Sequence, residues 1–238
     1  MRTSNPVLNE KAFSNLVGTA NPMTIQGTVN KTGVLLLLVV LASAISWGSR
    51  FASIFMWVGI FGGLGMSILT VVKKEWAGVT APMYALLEGL FLGAISSVFE
   101  ARYPGIVFQA VGLTFGTTAC LLGAYTSGAI KASENFKLGI VAATGGIAVF
   151  YLITLVMSFF GFGMPIVFGN GLIGIAFSLF VVTIAALNLV LDFDFIESAS
   201  QAGAPQYMEW YGAFGLMVTL IWLYIEILRL LSKLKSRK

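Results

Sequence analysis

The sequence has no histidine. That removes Ser–His catalytic pairs, the H-E-x-x-H zinc motif and any metal or haem held by imidazole. It also removes the side chain that ordinarily changes charge near neutral pH, so a response to pH must fall to carboxylates. There is one cysteine, Cys120, so no intrachain disulfide can form and the redox compartment is not legible. Charged residues are scarce at 10%, against about 25% in soluble domains. No G-x-x-x-x-G-K-[ST] phosphate loop occurs. These absences leave little for an enzyme to work with, and none is expected. No cofactor is expected either. The net charge of +4 is small and reads as loop orientation, not as a nucleic-acid partner.

What is abundant is apolar sequence, 58% of the chain. At roughly 20 residues per span, the length accommodates about seven membrane helices with short loops. Charges and breakers place them near Gly33–Gly48, Ala52–Val72, Gly78–Val98, Gly105–Ile130, Leu138–Phe160, Leu172–Asp192 and Tyr207–Leu230. From Leu138 to Leu191 there is no charge at all, too long a run for one span. The clusters Gly161-Phe-Gly-Met-Pro165 and Phe168-Gly-Asn-Gly171 divide it. Gly62–Gly65, G-G-L-G, offers small residues for close helix approach. The apolar runs are too long, and alternate too little, for barrel strands. The expected fold is an all-α bundle of seven transmembrane helices. The expected division is a polar N-terminal arm over 1–32, the helical domain over 33–231 and a basic tail over 232–238.

Residues 1–32 have no early apolar core, so a cytoplasmic, partly ordered arm is expected, with the first span as an uncleaved anchor. Lys and Arg set orientation. With the N-terminus inside, the inner segments hold Arg2, Lys11, Lys31, Lys73, Lys74, Lys131 and Lys137; the outer loops hold Arg50 and Arg102. Seven against two favours this orientation in an inner (plasma) membrane. The tail disagrees: seven full crossings place Arg229, Lys233, Lys235, Arg237 and Lys238 outside. The earlier loops carry more weight, and the tail's side stays open.

Against this background the acidic residues stand out. The stretch Leu187–Glu197, L-N-L-V-L-D-F-D-F-I-E, brings Asp192 and Asp194 after the long uncharged run. Glu226 interrupts the last span, and Glu88 lies near the centre of the third. An ionisable residue inside a span is by default a functional hypothesis. Leaving water disfavours the charged form of a carboxylate, and two that meet can share one proton. Such a proton is a latch; once it leaves, the pair offers hard oxygen ligands suited to Ca²⁺. Each residue also has an ordinary reading. Asp192 and Asp194 fit solvated positions at a span's end. Glu226 fits a local ion pair with Arg229, three residues on. Glu88 fits a protonated carboxyl bonded to a neighbouring helix. A protease dyad of Asp192 and Glu226 is disfavoured, because intramembrane aspartyl proteases show Gly-x-Gly-Asp where Leu189-Val-Leu-Asp192 stands here.

Five pieces, in order and spacing, resemble a known family: Glu88-Gly-Leu-Phe-Leu-Gly93, Ile106-Val-Phe-Gln-Ala110, Thr114-Phe-Gly-Thr117, Leu191-Asp-Phe-Asp-Phe-Ile196 and Leu223-Tyr-Ile-Glu-Ile-Leu228. From about Ser67 to Leu231 the chain resembles the transmembrane Bax inhibitor motif proteins (Bax inhibitor-1/YccA-like), in a bacterial branch. The resemblance implies a bundle with the last helix central and a pH-sensitive Ca²⁺ leak whose sensor is a carboxylate pair on the sixth and seventh helices. By position that pair is Asp192, with Asp194 as the alternative, and Glu226. Family members with channel activity also carry an arginine latch at the end of the second helix. Here Val71 and Val72 stand there, followed by Lys73 and Lys74. Lysine lacks the fork of arginine; Arg229 is the other cation within reach in sequence.

The resemblance further implies two partners besides the bilayer: Ca²⁺, permeant or transiently bound at Asp192 and Glu226, and, for some relatives, a membrane protease. The leading expectation is a cation leak. A non-conducting regulator that grips a partner through its arm is the second, and a proton-coupled exchanger the third.

Overall fold

The computed structural model describes residues 21–161 and 169–237. Among these residues the chain forms α1 (Ile25–Ser46), α2 (Ala52–Val72), a short 3-10 turn (Lys74–Trp76), α3 (Ala77–Arg102), α4 (Ile106–Thr126), α5 (Glu134–Phe159), α6 (Leu172–Gln201) and α7 (Met208–Lys235). Among the described residues, seven helices are long and apolar enough to cross a bilayer. The expected all-α, multi-pass membrane protein is what the chain builds. In a bilayer every backbone polar group needs an internal partner, and a helix supplies it within one segment. Of the seven, α7 is the most buried and α6 the next.

The chain divides into two compact units, and α6 and α7 each contribute to both. One takes in residues 21–104 and 194–218 of those described, the other 105–193 and 219–237.

In the first unit, missing side chains set the helix packing. Gly89 and Gly93 on α3 lie against α1. A Cβ at Gly89 would stand 2.6 Å from the Val39 carbonyl oxygen, and one at Gly93 would overlap the Ser43 carbonyl oxygen and Ser46 Oγ. The approach is close enough for Ser43 Oγ to donate to the Gly89 carbonyl at 2.9 Å. On α2, a Cβ at Gly59 would stand 2.7 Å from the Leu87 carbonyl oxygen. Small residues replace the hydrophobic drive that lipid cannot supply between helices. The expected close approach at G-G-L-G is seen at Gly62 and Gly63, whereas Gly65 faces open space. Gly93→Ala is therefore expected to destabilise the fold by about 1–2 kcal/mol, the cost of overpacking a filled interface. Thermal unfolding in detergent checks it; Gly65→Ala, which meets nothing, is the comparison.

In the second unit, Ile140 and Ile147 of α5 pack with Val181, Ile184 and Leu191 of α6, flanked by Phe136, Phe177 and Trp222. Buried positions on α4 recur at Ile106, Ala110 and Thr114, a single stripe with a four-residue step.

Several boundaries differ from the spans drawn on charge and composition. α1 begins at Ile25, well before Gly33, because Thr24 caps it by accepting from the Gly27 amide at 2.9 Å. α6 does not end at Asp192 but runs to Gln201, so Asp192, Asp194 and Glu197 are all helical. α7 continues through much of the basic tail to Lys235. α4 stops at Thr126. The break between the fifth and sixth spans falls where the glycines placed it: α5 ends at Phe159 and Gly161 turns with φ +80°. Residues 1–20 of the arm, residues 162–168 of that break and Lys238 lie outside the described residues.

Candidate functional site

The apolar spans leave few polar side chains inside, and in the second unit α5, α6 and α7 carry several of them. On α7, Thr219, Glu226 and Lys233 are all buried. Their seven-residue spacing is close to two helical turns, which keeps them on one face. On α6, Asn188 and Asp192 are buried one turn apart. On α5, Thr144 and Tyr151 are likewise seven residues apart. Asn188 Nδ2 donates to Thr144 Oγ1 at 2.9 Å and to the Ile184 carbonyl at 2.8 Å, tying α6 to α5.

Glu226 is 2% exposed, and its carboxylate is held twice. The Tyr151 hydroxyl donates to Oε1 at 3.0 Å. Arg229 Nη1 donates to Oε1 at 3.1 Å and to Oε2 at 3.3 Å. The same Nη1 donates to the Tyr151 oxygen at 2.9 Å, and the guanidinium lies 5.5 Å from the ring centroid. Carboxylate, phenol and guanidinium thus form a closed triad in which each member touches the other two. A charged group in apolar surroundings persists when it is both paired and hydrogen-bonded. One turn further on, Lys233 Nζ donates to the Gly174 carbonyl at 3.0 Å.

Asp192 is fully buried, its Oδ2 included. It is not a solvated end-of-span residue, because the helix continues beyond it. Asp194 is only partly buried. Glu88, in the first unit, is also partly buried and lies over α2: a Cβ at Gly63 would stand 2.6 Å from its Oε1. Lys73 and Lys74 sit on aromatic faces, Lys73 Nζ 4.5 Å from the Trp76 ring and Lys74 Nζ 5.9 Å from the Tyr211 ring. The cation that touches Glu226 is Arg229. Among the described residues no three metal-capable side chains gather.

A third buried carboxylate escaped the sequence reading. Glu209, in the first turn of α7, accepts from the Thr24 amide at 2.8 Å and from Thr24 Oγ1 at 3.0 Å, and forms an ion pair with Lys31. Its carboxylate fills the space over Gly27 that a Cβ would occupy. Beside it the Met23 amide donates to the Ala204 carbonyl at 2.6 Å and the Gln206 amide to the Asn21 carbonyl at 3.0 Å. The start of α1 is thereby clasped to the loop before α7. One signal was available: an acidic residue in a first helical turn.

These features define a class, multi-pass α-helical membrane proteins with ionisable side chains buried among their helices. The family model described as Bax inhibitor 1 like matches residues 5–236. That is nearly the whole chain, which belongs to this family. No curated protein matches the chain closely enough to be counted a relative.

Proposed function

We propose that this Bax inhibitor 1 like protein is a pH-sensitive cation leak, with Ca²⁺ as cargo, gated by protonation of Asp192 and Glu226. The observation that carries the reading is the burial of both carboxylates in one unit, on α6 and α7. In this reading a proton shared between the two carboxylates keeps the path closed. Its loss leaves two like charges in a low dielectric, which favours separation and offers oxygen ligands to a hard cation. Tyr151 and Arg229 hold Glu226 in place meanwhile. The protein performs no catalysis in this account.

The Lys and Arg distribution over the loops supports an inner-membrane orientation with the N-terminus in the cytoplasm. Of the tail's positive charges, Arg229 is balanced by Glu226 and Lys233 is buried against a carbonyl, so both serve the fold and weigh less as orientation signals.

A second reading is a non-conducting regulator that grips a partner, such as a membrane protease, through its arm. The clasp at Asn21–Thr24 favours it, because it ties the segment leading into α1 to the α6–α7 loop and to the first turn of α7. Flux into dye-loaded proteoliposomes separates the readings. A leak gives downhill Ca²⁺ entry without counterflow. Saturable counterflow would identify a proton-coupled exchanger. No flux at any pH from folded protein overturns the leak. Loss of partner capture on deleting residues 1–20 then supports the regulator.

A further inference from the structure

Where α2 ends at Val72 and α3 begins at Ala77, the chain turns back within four residues, Lys73-Lys74-Glu75-Trp76. So short a corner between two spans must lie at headgroup depth, where Trp, Tyr and Lys collect. Here they are arranged. Lys73 Nζ lies 4.5 Å from the Trp76 ring and Lys74 Nζ 5.9 Å from the Tyr211 ring. Lys31 Nζ lies 5.5 Å from the Trp210 ring. Gly78 leaves the edge of Trp210 room, since a Cβ there would stand 3.5 Å from its Cδ1. Burial first, and then the Glu75 carboxylate, push the Tyr207 phenol above its ordinary range, which places Glu75 beside the loop before α7. The starts of α1, α3 and α7 thus present three ammonium groups, each over an aromatic face, in one unit.

The charges are unequal in what they have left to do. Lys31 is paired with Glu209. Lys73 is exposed and Lys74 half-buried, with exposed Glu75 between them offsetting part of their charge. Trp76 is 52% exposed, and Val72 and Val79 beside it are exposed too. An exposed ring and aliphatic side chains flanking two lysines match a phospholipid: acyl chain on the apolar side, phosphate on the cationic side. The other end of the same unit has only Arg50 and Arg102.

We propose that this corner is a binding site for an anionic phospholipid headgroup in the bilayer, with Lys73 and Lys74 on the phosphate and Trp76 against the glycerol and upper acyl chain. Each lysine near a charged lipid surface contributes about five-fold in affinity, and Glu75 takes part of that back.

The test uses the full chain in detergent, titrated with brominated phosphatidylglycerol or brominated phosphatidylcholine, with quenching of tryptophan emission as the readout. Wild type should half-saturate at about ten-fold lower phosphatidylglycerol than phosphatidylcholine. Lys73→Gln/Lys74→Gln should erase the preference, and Lys73→Arg/Lys74→Arg should keep it. Lys235→Gln/Arg237→Gln, which removes equal charge from the tail, should leave it intact. Glu75→Gln should strengthen it, and that variant keeps the proposal testable if the double glutamine variant does not fold. Equal quenching by both lipids in wild type overturns the proposal. So does a preference that the tail variant loses, or one that Glu75→Gln leaves unchanged. Tight binding of an acidic peptide without lipid preference would assign the corner to a protein partner instead.

Discussion

Arg229→Leu is expected to destabilise the protein by about 3 kcal/mol, the largest single effect anticipated here. Removing one member of a buried ion pair leaves the other charge without its counter-ion, which costs about 3–5 kcal/mol. Arg229 is 35% exposed at its side chain while Glu226 is buried, which puts the value at the low end. Tyr151 remains as a donor to Glu226 but is neutral. Adding Glu226→Leu to Arg229→Leu should recover much of the loss, because well-packed apolar side chains replace a buried pair at little or no net cost. Thermal unfolding of the two single variants and the double, in one detergent, closes the cycle. If the double variant loses the sum of the two single losses, the pair is not coupled and the triad has no structural weight.

Glu209→Ala is expected to cost about 2 kcal/mol. The substitution strands the Thr24 amide, Thr24 Oγ1 and the Lys31 ammonium, all of which donate to Glu209. A hydrogen bond to a charged group is worth about 1.5–3 kcal/mol. Thr24 is exposed and Lys31 is 20% exposed at its side chain, so water recovers part of it. The loss should be local as well as global. Amide hydrogen exchange should accelerate at Thr24, whose amide donates to Glu209 itself, and at Met23, whose amide donates to the Ala204 carbonyl of the α6–α7 loop, and not at Ile140–Ile147 of α5. Uniform exchange across both segments would mean that the clasp is not a separate element.

The seven spans were legible because charge is so sparse that each cluster marks an end. Lys73-Lys74-Glu75, Glu100 with Arg102, and Lys131 with Glu134 and Lys137 fall at or next to helix termini. The same rule misplaced several boundaries. α1 can start at its Thr24 cap, before Lys31, since Glu209 neutralises that lysine; α6 passes through Asp192, which is buried rather than solvated; and α7 runs on past Lys233, which is buried too. A charge ends a span only when water, not protein, receives it. The carboxylates themselves were visible as charges in apolar runs, but their partners were not. Tyr151 lies among Phe150 and Leu152 and reads as packing. Glu209 and Lys31 are separated by 178 positions, so no local spacing links them. The Gly89 and Gly93 contacts sat within the stretch quoted for its family likeness, yet their small-residue step reads as a helix contact only once α1 lies against it.

The most direct test of the gating account is Ca²⁺ entry into dye-loaded proteoliposomes across about pH 5–8, since leaving water disfavours a carboxylate's charged form and moves its titration up from the acid range. Wild type is compared with Asp192→Asn/Glu226→Gln at matched incorporation. The account predicts flux in wild type that rises with pH as the shared proton leaves, and flux in the double variant that no longer varies with pH. Wild-type pH dependence retained in the double variant would contradict it and move the gate to other groups.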